Sequence, residues 1–487
     1  MPGFSKPKQK IISLIAGLIV ALIIFLINPF HVDAAANKVL TVAGLMITWW
    51  IAEALPMPVV ALLPLVCFPL FGISSMDAAA SPYANPVIFL FMGGFMIGLA
   101  IEKWNLHRRI ALNIIKITGT SGDRIVLGFI LATGLLSMWL SNTATTMMMF
   151  PIALSVIHVM RENNRGEGNI ANFSLTIMLA IAYASNIGGI ATIIGTPPNV
   201  AYVAYIEKKY SYSVDFLSWM LICTPLAIIL LASLYLVMVK WLFPNRIKSN
   251  QATRQLIRDE IAELGAVSTN EKRVLAIFIG TATLWIAKGL INSSQQLFSL
   301  NDSMIAIIGA IVLFICPANG DKSDSILEWE DTRKMAWGIL LLFGGGISLA
   351  TGLENAGLME QLGEWLSQFA GNHFILLLAV TIITMFLSEV MSNVAQVIVF
   401  APVVTSLADA IGMNPLMLGI AMTLAASCAS MLPMGTPPNA IVFASGHIQL
   451  KHMTRAGFVM NIVAVILISL FAWFLLPLFV SLPPGGR

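Results

Sequence analysis

The sequence predicts an all-α polytopic membrane protein, and three observations predict it. Apolar residues of the AVILMFWYC set form 58% of the 487-residue chain and charged residues only 10%. A soluble domain carries about 25% charge, so this chain cannot clothe a surface facing water. The apolar residues fall into long runs, many reaching the roughly 20 residues that a bilayer span needs. The order of motifs in the first half returns in the second, which implies a duplicated architecture. Disorder and a disulfide scaffold are excluded. Cys67, Cys223, Cys316 and Cys428 lie in apolar stretches without CxxC spacing and read as free thiols. A net charge of +3 without a basic stripe gives no footprint for nucleic acid. No GxxxxGK[ST] loop or nucleophile elbow is present, so no internal ATPase or hydrolase is expected.

The first run, 11–28, exceeds a signal-peptide core and reads as an uncleaved helix, so residues 1–37 form an N-terminal helical unit. Further apolar segments follow at about 38–54, 56–72, 85–102, 123–159, 170–206, 214–243, 273–291, 302–318, 333–352, 372–409, 413–446 and 455–482. Segments 123–159 and 372–409 are nearly twice the length of one span, and each carries Ser-Asn at its middle. Each reads as a re-entrant hairpin that enters and leaves on one side. Segments 170–206 and 413–446 each contain Gly-Thr-Pro-Pro-Asn, which interrupts a helix, so each reads as one broken span. The count is then eleven transmembrane helices and two hairpins. With the N-terminus in the cytoplasm and the C-terminus outside, all lysines and arginines except Lys38, Lys208, Lys209, Lys288 and Arg487 fall on the cytoplasmic side, as the positive-inside rule requires. The polar stretch 244–272 reads as a cytoplasmic linker with a short amphipathic helix, joining repeats 38–243 and 273–487.

The internal match is specific. GFMIGLA at 94–100 returns as GGGISLA at 344–350, Ser141-Asn142-Thr143-Ala144 as Ser392-Asn393-Val394-Ala395, and GTPPN at 195–199 as GTPPN at 435–439. Five spans separate the first hairpin from its copy. An odd number inverts the second copy, and inverted repeats with broken helices are a hallmark of secondary transporters.

Such breaks expose helix N-termini, which suit anions, and helix C-termini, which suit cations. At the first tip Ser137, Ser141, Asn142 and Thr143 supply hydroxyl, amide and freed backbone oxygens for a bare cation. The Asn142 NH2 remains able to donate to a carboxylate. The second tip repeats this with Ser388, Ser392 and Asn393, and Val394 replaces the hydroxyl of Thr143. The breaks at Gly195 and Gly435 are expected to face the tips, with Thr196, Pro197, Thr436 and Pro437 as further substrate contacts and Asn199 and Asn439 satisfying unwound backbone. No Arg or Lys sits at either tip, so a bound anion needs cations beside it, which favours symport. Glu389 and Glu53 are the acids to watch.

These paired motifs, together with Ser388-Glu389-Val390-Met391-Ser392-Asn393-Val394, resemble the divalent anion–sodium symporter family from about residue 40 to 480. The resemblance implies a homodimer and an elevator mechanism. It implies one sodium site at Ser137, Ser141, Asn142 and the backbone near Gly189. A second would lie at Ser388, Asn393 and the backbone near Ala429 and Gly435. The expected function is Na+-coupled symport of a small dicarboxylate anion, a C4 acid such as succinate, malate or fumarate, across a bacterial inner membrane into the cell. Na+ is the coupling ion, no other cofactor is expected, and the lipid bilayer and a second copy of the chain are the partners. The alternatives are a sodium-independent dicarboxylate exchanger, a Na+-coupled citrate or sulfate carrier, or, in another class, an anion channel.

Overall fold

A computed structural model describes residues 7–163, 169–248, 251–295, 297–319, 324–368 and 371–479. The basic residues Lys6, Arg165, Lys322 and Arg487, and the C-terminus assigned to the outer side, lie outside them. The regular elements of the described residues are all helices, with an isolated bridge between Pro317 and Ser325 and no strand.

The first part holds α1 (Pro7–Ile27), α2 (Ala34–Ile51), the short α3 (Met57–Val60), α4 (Leu63–Leu70) and α5 (Met76–Ala80), and α6 (Pro86–Lys103). Next come α7 (Leu106–Thr118), α8 (Gly122–Ser137), α9 (Asn142–Asn163), α10 (Ile170–Gly189), α11 (Pro197–Tyr210) and α12 (Phe216–Tyr235), the last continued by a π-helical turn over Leu236–Leu242. The linker forms α13 (Gln251–Glu263). Then follow α14 (Thr269–Ser294), α15 (Asp302–Ile315), α16 (Trp337–Asn355), α17 (Leu358–Ser367), α18 (His373–Leu387) and α19 (Asn393–Ala410). The chain ends in α20 (Pro415–Ser427), α21 (Pro437–Phe443), α22 (Leu450–Phe474) and α23 (Leu476–Phe479).

Ten helices among the described residues are long and apolar enough to cross a membrane, and shorter apolar helices accompany them. The chain is a multi-pass membrane protein. At a rise of about 1.5 Å per residue, α8 and α18 reach roughly 22–24 Å, short of the roughly 30 Å hydrocarbon core. That length suits a hairpin leg better than a full crossing.

The order α6 to α12 recurs as α16 to α22: a small-residue helix, a short helix, two hairpin legs, a helix, a break, a short helix and a long helix. Packing obeys the same pairing. The post-break helix α11 lies against α19, and its counterpart α21 lies against α9. Each half thus lends its short helix to the other half's hairpin. α10 is the centre of the molecule. Its spanning window is 83% buried, against 11% for α1 and 17% for α14, whose side chains face outward. A helix apolar on every side is stable only when enclosed, and α10 is enclosed by α8, α9, α12 and α21.

Candidate functional site

Both hairpin tips are built alike. α8 ends at Ser137 and α9 begins at Asn142; α18 ends at Leu387 and α19 begins at Asn393. Ser141 and Ser392 cap the second legs, each accepting the backbone N–H three residues on, at 3.2 Å from Ala144 and 3.5 Å from Ala395. Serine is a preferred cap because its oxygen takes an otherwise orphaned donor. Each tip is also braced internally. The Ser137 hydroxyl donates to the Asn142 amide oxygen at 2.6 Å, and the Ser388 hydroxyl meets Asn393 Oδ1 at the same 2.6 Å. Ser388 also lies 2.6 Å from the carbonyl oxygen of Ala426. Ser137 and Ser388 are buried, whereas Ser141, Asn142, Thr143, Ser392, Asn393 and Val394 remain partly exposed.

The breaks sit against these tips. A Cβ on Gly189 would lie 2.5 Å from Asn142 Oδ1, and one on Gly188 only 2.2 Å from the Gly134 carbonyl. Only glycine permits α10 to approach the first hairpin this closely. In the second half a Cβ on Gly435 would lie 2.9 Å from Glu389 Oε2. Asn199 donates to Thr192 O at 2.8 Å and Gly189 O at 3.3 Å; Asn439 donates to Leu432 O at 3.1 Å and Ala429 O at 3.4 Å. Both asparagines are fully buried and spend their amide donors on unwound backbone.

The structure therefore brings Ser137, Asn142 and Gly189 together, with Ser141 capping the same tip; in the second half it pairs Ser388 with Asn393 and sets Gly435 against the neighbouring Glu389, while the Ala429 carbonyl faces Asn186 and Asn439. Thr196 and Thr436 are buried, at 4% and 3% exposure, and the Thr436 hydroxyl meets Asn186 and the Asn439 backbone rather than a tip. Pro197 is partly exposed and Pro437 exposed. The surroundings are unequal. Val390 and Met434, beside the second tip, are 63% and 72% exposed. Their repeat-mates are covered: Trp139 packs edge-on against Phe278 with ring centres 4.8 Å apart, and Ile194 is 8% exposed.

Four further residues contribute; the sequence marks Asn186 within the small and polar run Ser185-Asn186-Ile187-Gly188-Gly189 but not its partner, and the other three escape it. Asn186 reaches from α10 into the other half, donating to Thr436 Oγ1 at 3.0 Å and lying 3.5 Å from Ala429 O. The Thr192 hydroxyl donates to Met138 O at 2.5 Å. Asn461, on α22, donates to Glu389 at 2.7 Å. Tyr183 donates to Met453 O at 3.2 Å. An isolated polar residue inside an apolar run, as Asn461 is, was the available signal. Glu53 is exposed at the end of α2 and belongs to neither centre. Among the described residues no three His, Cys, Asp or Glu side chains cluster as a metal site. The donors at the tips are hydroxyls, amides and carbonyls, a hard oxygen set suited to an alkali cation and not to a thiophilic metal.

Residues 8–481 match the family model described as "Sodium:sulfate symporter transmembrane region". The chain belongs to this family. It is a membrane transport protein and not an enzyme. A protein named sodium-dependent dicarboxylate transporter SdcS from Staphylococcus saprophyticus is 38% identical over 475 residues, covering 96% of this chain and 92% of that protein. Its namesake from Staphylococcus aureus USA300 is 39% identical over 489 residues, covering 98% and 94%. Among solved structures, Neisseria gonorrhoeae MtrF superposes with a TM-score of 0.60 at 12% identity, covering 100% of this chain and 98% of MtrF. The Alcanivorax borkumensis YdaH transporter gives 0.55 at 14% identity, covering 86% and 90%. Those two likenesses concern the fold alone.

Proposed function

We propose that the protein is a secondary active carrier performing Na+-coupled symport of C4 dicarboxylates such as succinate, malate and fumarate into the cell. The matched Ser–Asn brace at the two hairpin tips carries this reading. Each brace fixes an asparagine whose amide group lies at a helix N-terminus, where a carboxylate is favoured. One carboxylate of the substrate would face Ser141, Asn142 and Thr143, and the other Ser392, Asn393 and Val394, with Thr196, Pro197, Thr436 and Pro437 reached as the site closes. Na+ would occupy the two oxygen centres, at Ser137, Ser141, Asn142 and Gly189 and at Ser388, Asn393, Ala429 and Gly435. The absence of a basic side chain in either motif makes the cations the countercharge for the substrate. The naming of the staphylococcal relatives supports both the substrate class and the ion. The carrier would work as a homodimer in a bacterial inner membrane, N-terminus inside and C-terminus outside, with the hairpins and broken helices moving as an elevator against the rest.

The test is uptake of labelled succinate, citrate and sulfate into proteoliposomes with and without an inward Na+ gradient, repeated with internal succinate. Succinate uptake that collapses without Na+ is expected. Uptake independent of Na+ but accelerated by internal succinate would make the protein an exchanger. Preferred sulfate or citrate uptake would move the substrate class. Anion current without coupling would indicate a channel.

A further inference from the structure

Glu389 is 3% exposed, and among the described residues no lysine, arginine or histidine lies within ion-pair distance of it. A buried carboxylate without a basic partner is costly unless hydrogen bonds replace the lost water. Here three come from one loop and a fourth from α22. Oε1 accepts the backbone N–H of Ser430 at 2.8 Å and of Met431 at 2.9 Å, and the Asn461 amide at 2.7 Å; Oε2 accepts the N–H of Leu432 at 2.9 Å.

The repeat gives this arrangement its meaning. The hairpins are related by an offset of 251 and the breaks by 240, so Glu389 corresponds to Met138 and Leu432 to Thr192. Those first-half counterparts are joined too, through the Thr192 hydroxyl and the Met138 carbonyl. Both halves therefore tie the hairpin tip to the break at the same place. The first uses a neutral bond, and the second uses a carboxylate gripping three successive amides. A trans peptide plane carries its C=O opposite its N–H. Fixing the N–H of Ser430 on Glu389 turns the Ala429 carbonyl away from the carboxylate, and the next two amides lock the Ser430 and Met431 carbonyls in the same manner.

We propose that Glu389 is a positioning residue for the second cation centre, holding the backbone of 429–432 against the tip, with the Ala429 carbonyl fixed toward Asn186 and Asn439, and supplying a negative charge beside the tip. The two Na+ centres are then electrostatically unequal, and the one next to Glu389 holds its ion more tightly. This role rests on Na+ being the coupling ion. A glutamine at 389 keeps the shape, removes the charge and turns an NH2 toward amides that need an acceptor. An aspartate keeps the charge but is too short to grip all three amides.

The experiment measures Na+ activation of succinate uptake in proteoliposomes, and Na+-dependent thermal stabilisation of the purified protein without succinate, for wild type, Glu389→Gln and Glu389→Asp. The Na+ half-saturation of Glu389→Gln is expected to rise about tenfold in both assays, while the succinate KM at saturating Na+ stays within threefold. A rise below threefold in folded Glu389→Gln overturns the proposal, and so does an equal rise in succinate KM, which marks general damage. If Glu389→Gln does not fold, the same threefold criterion applies to Glu389→Asp. A wild-type protein that neither responds to nor is stabilised by Na+ removes the sodium reading itself, before any variant is compared.

Discussion

Asn142 and Asn393 carry the most chemistry per residue. Replacing either by Ala deletes an amide at the proposed substrate site; it leaves the hydroxyl of buried Ser137 without its acceptor, whereas Ser388 keeps the Ala426 carbonyl. An unsatisfied buried polar group costs about 1–3 kcal/mol. Succinate uptake by each variant is expected to fall to background while the purified protein still folds; near-normal uptake in both would refute the site. Gly189 is the sharper probe, because it has no side chain and acts through its backbone alone, whose carbonyl accepts from Asn199. Gly189→Ala drives a methyl group to 2.5 Å from Asn142 Oδ1, and displacing a liganding oxygen by about 1 Å costs on the order of 100-fold in a positioned site. Its Na+ half-saturation should rise at least about tenfold, equivalent to ~1.4 kcal/mol.

At the scale of elements, the linker is held by charge. The amphipathic α13 packs on α7 and α9, so it joins the short helix before the first hairpin to a hairpin leg. Arg109 of α7 pairs with Glu271 at 2.6 Å, both side chains nearly covered at 12% and 6%, and it also donates to the Leu264 and Gly265 carbonyls at 3.1 Å. Breaking a buried pair costs about 3 kcal/mol. The Lys240–Asp123 pair has the same 2.6 Å separation but is 56% and 30% exposed, and such pairs contribute about 0–1 kcal/mol. Thermal unfolding in detergent should therefore show a clear drop for Arg109→Ala and little change for Lys240→Ala. Equal drops would mean that burial does not decide the strength of these pairs.

Much of this organisation is legible in the sequence, for local reasons. Proline, glycine and asparagine punctuate the breaks, and Ser-Asn marks the tips, because those residues solve a backbone problem where they stand. The π-helical turn at Leu236–Leu242 has no such marker and reads as a continuous span. Long-range partners are equally silent. Asn186 meets Thr436 250 positions away, and Asn461 meets Glu389 72 positions away; nothing in the neighbouring residues announces either meeting. The covered environment of Thr196 and Thr436 is invisible for the same reason, since it depends on how the two halves close on each other.

For the whole molecule, the proposed orientation would put Lys208 outside and Ser268 in the cytoplasm. In a cysteine-free background, Lys208→Cys should react with an impermeant maleimide added to intact cells, and Ser268→Cys only after permeabilisation. The reverse pattern, Ser268→Cys labelled from outside and Lys208→Cys only after permeabilisation, would mean that the first hairpin crosses fully and that every later segment is reversed. The reciprocal seating of α11 on α19 and α21 on α9 has one exception to its symmetry, and it speaks to history. Asn186 bridges into the later half, but neither Cys428, its counterpart in the matching run, nor Ala426, 240 residues on, carries an amide to return the bridge. Two identical half-length chains, assembled head to tail, would possess that strut twice or not at all. A strut present once belongs to a time after fusion, when the copies had become free to diverge and to depend on one another.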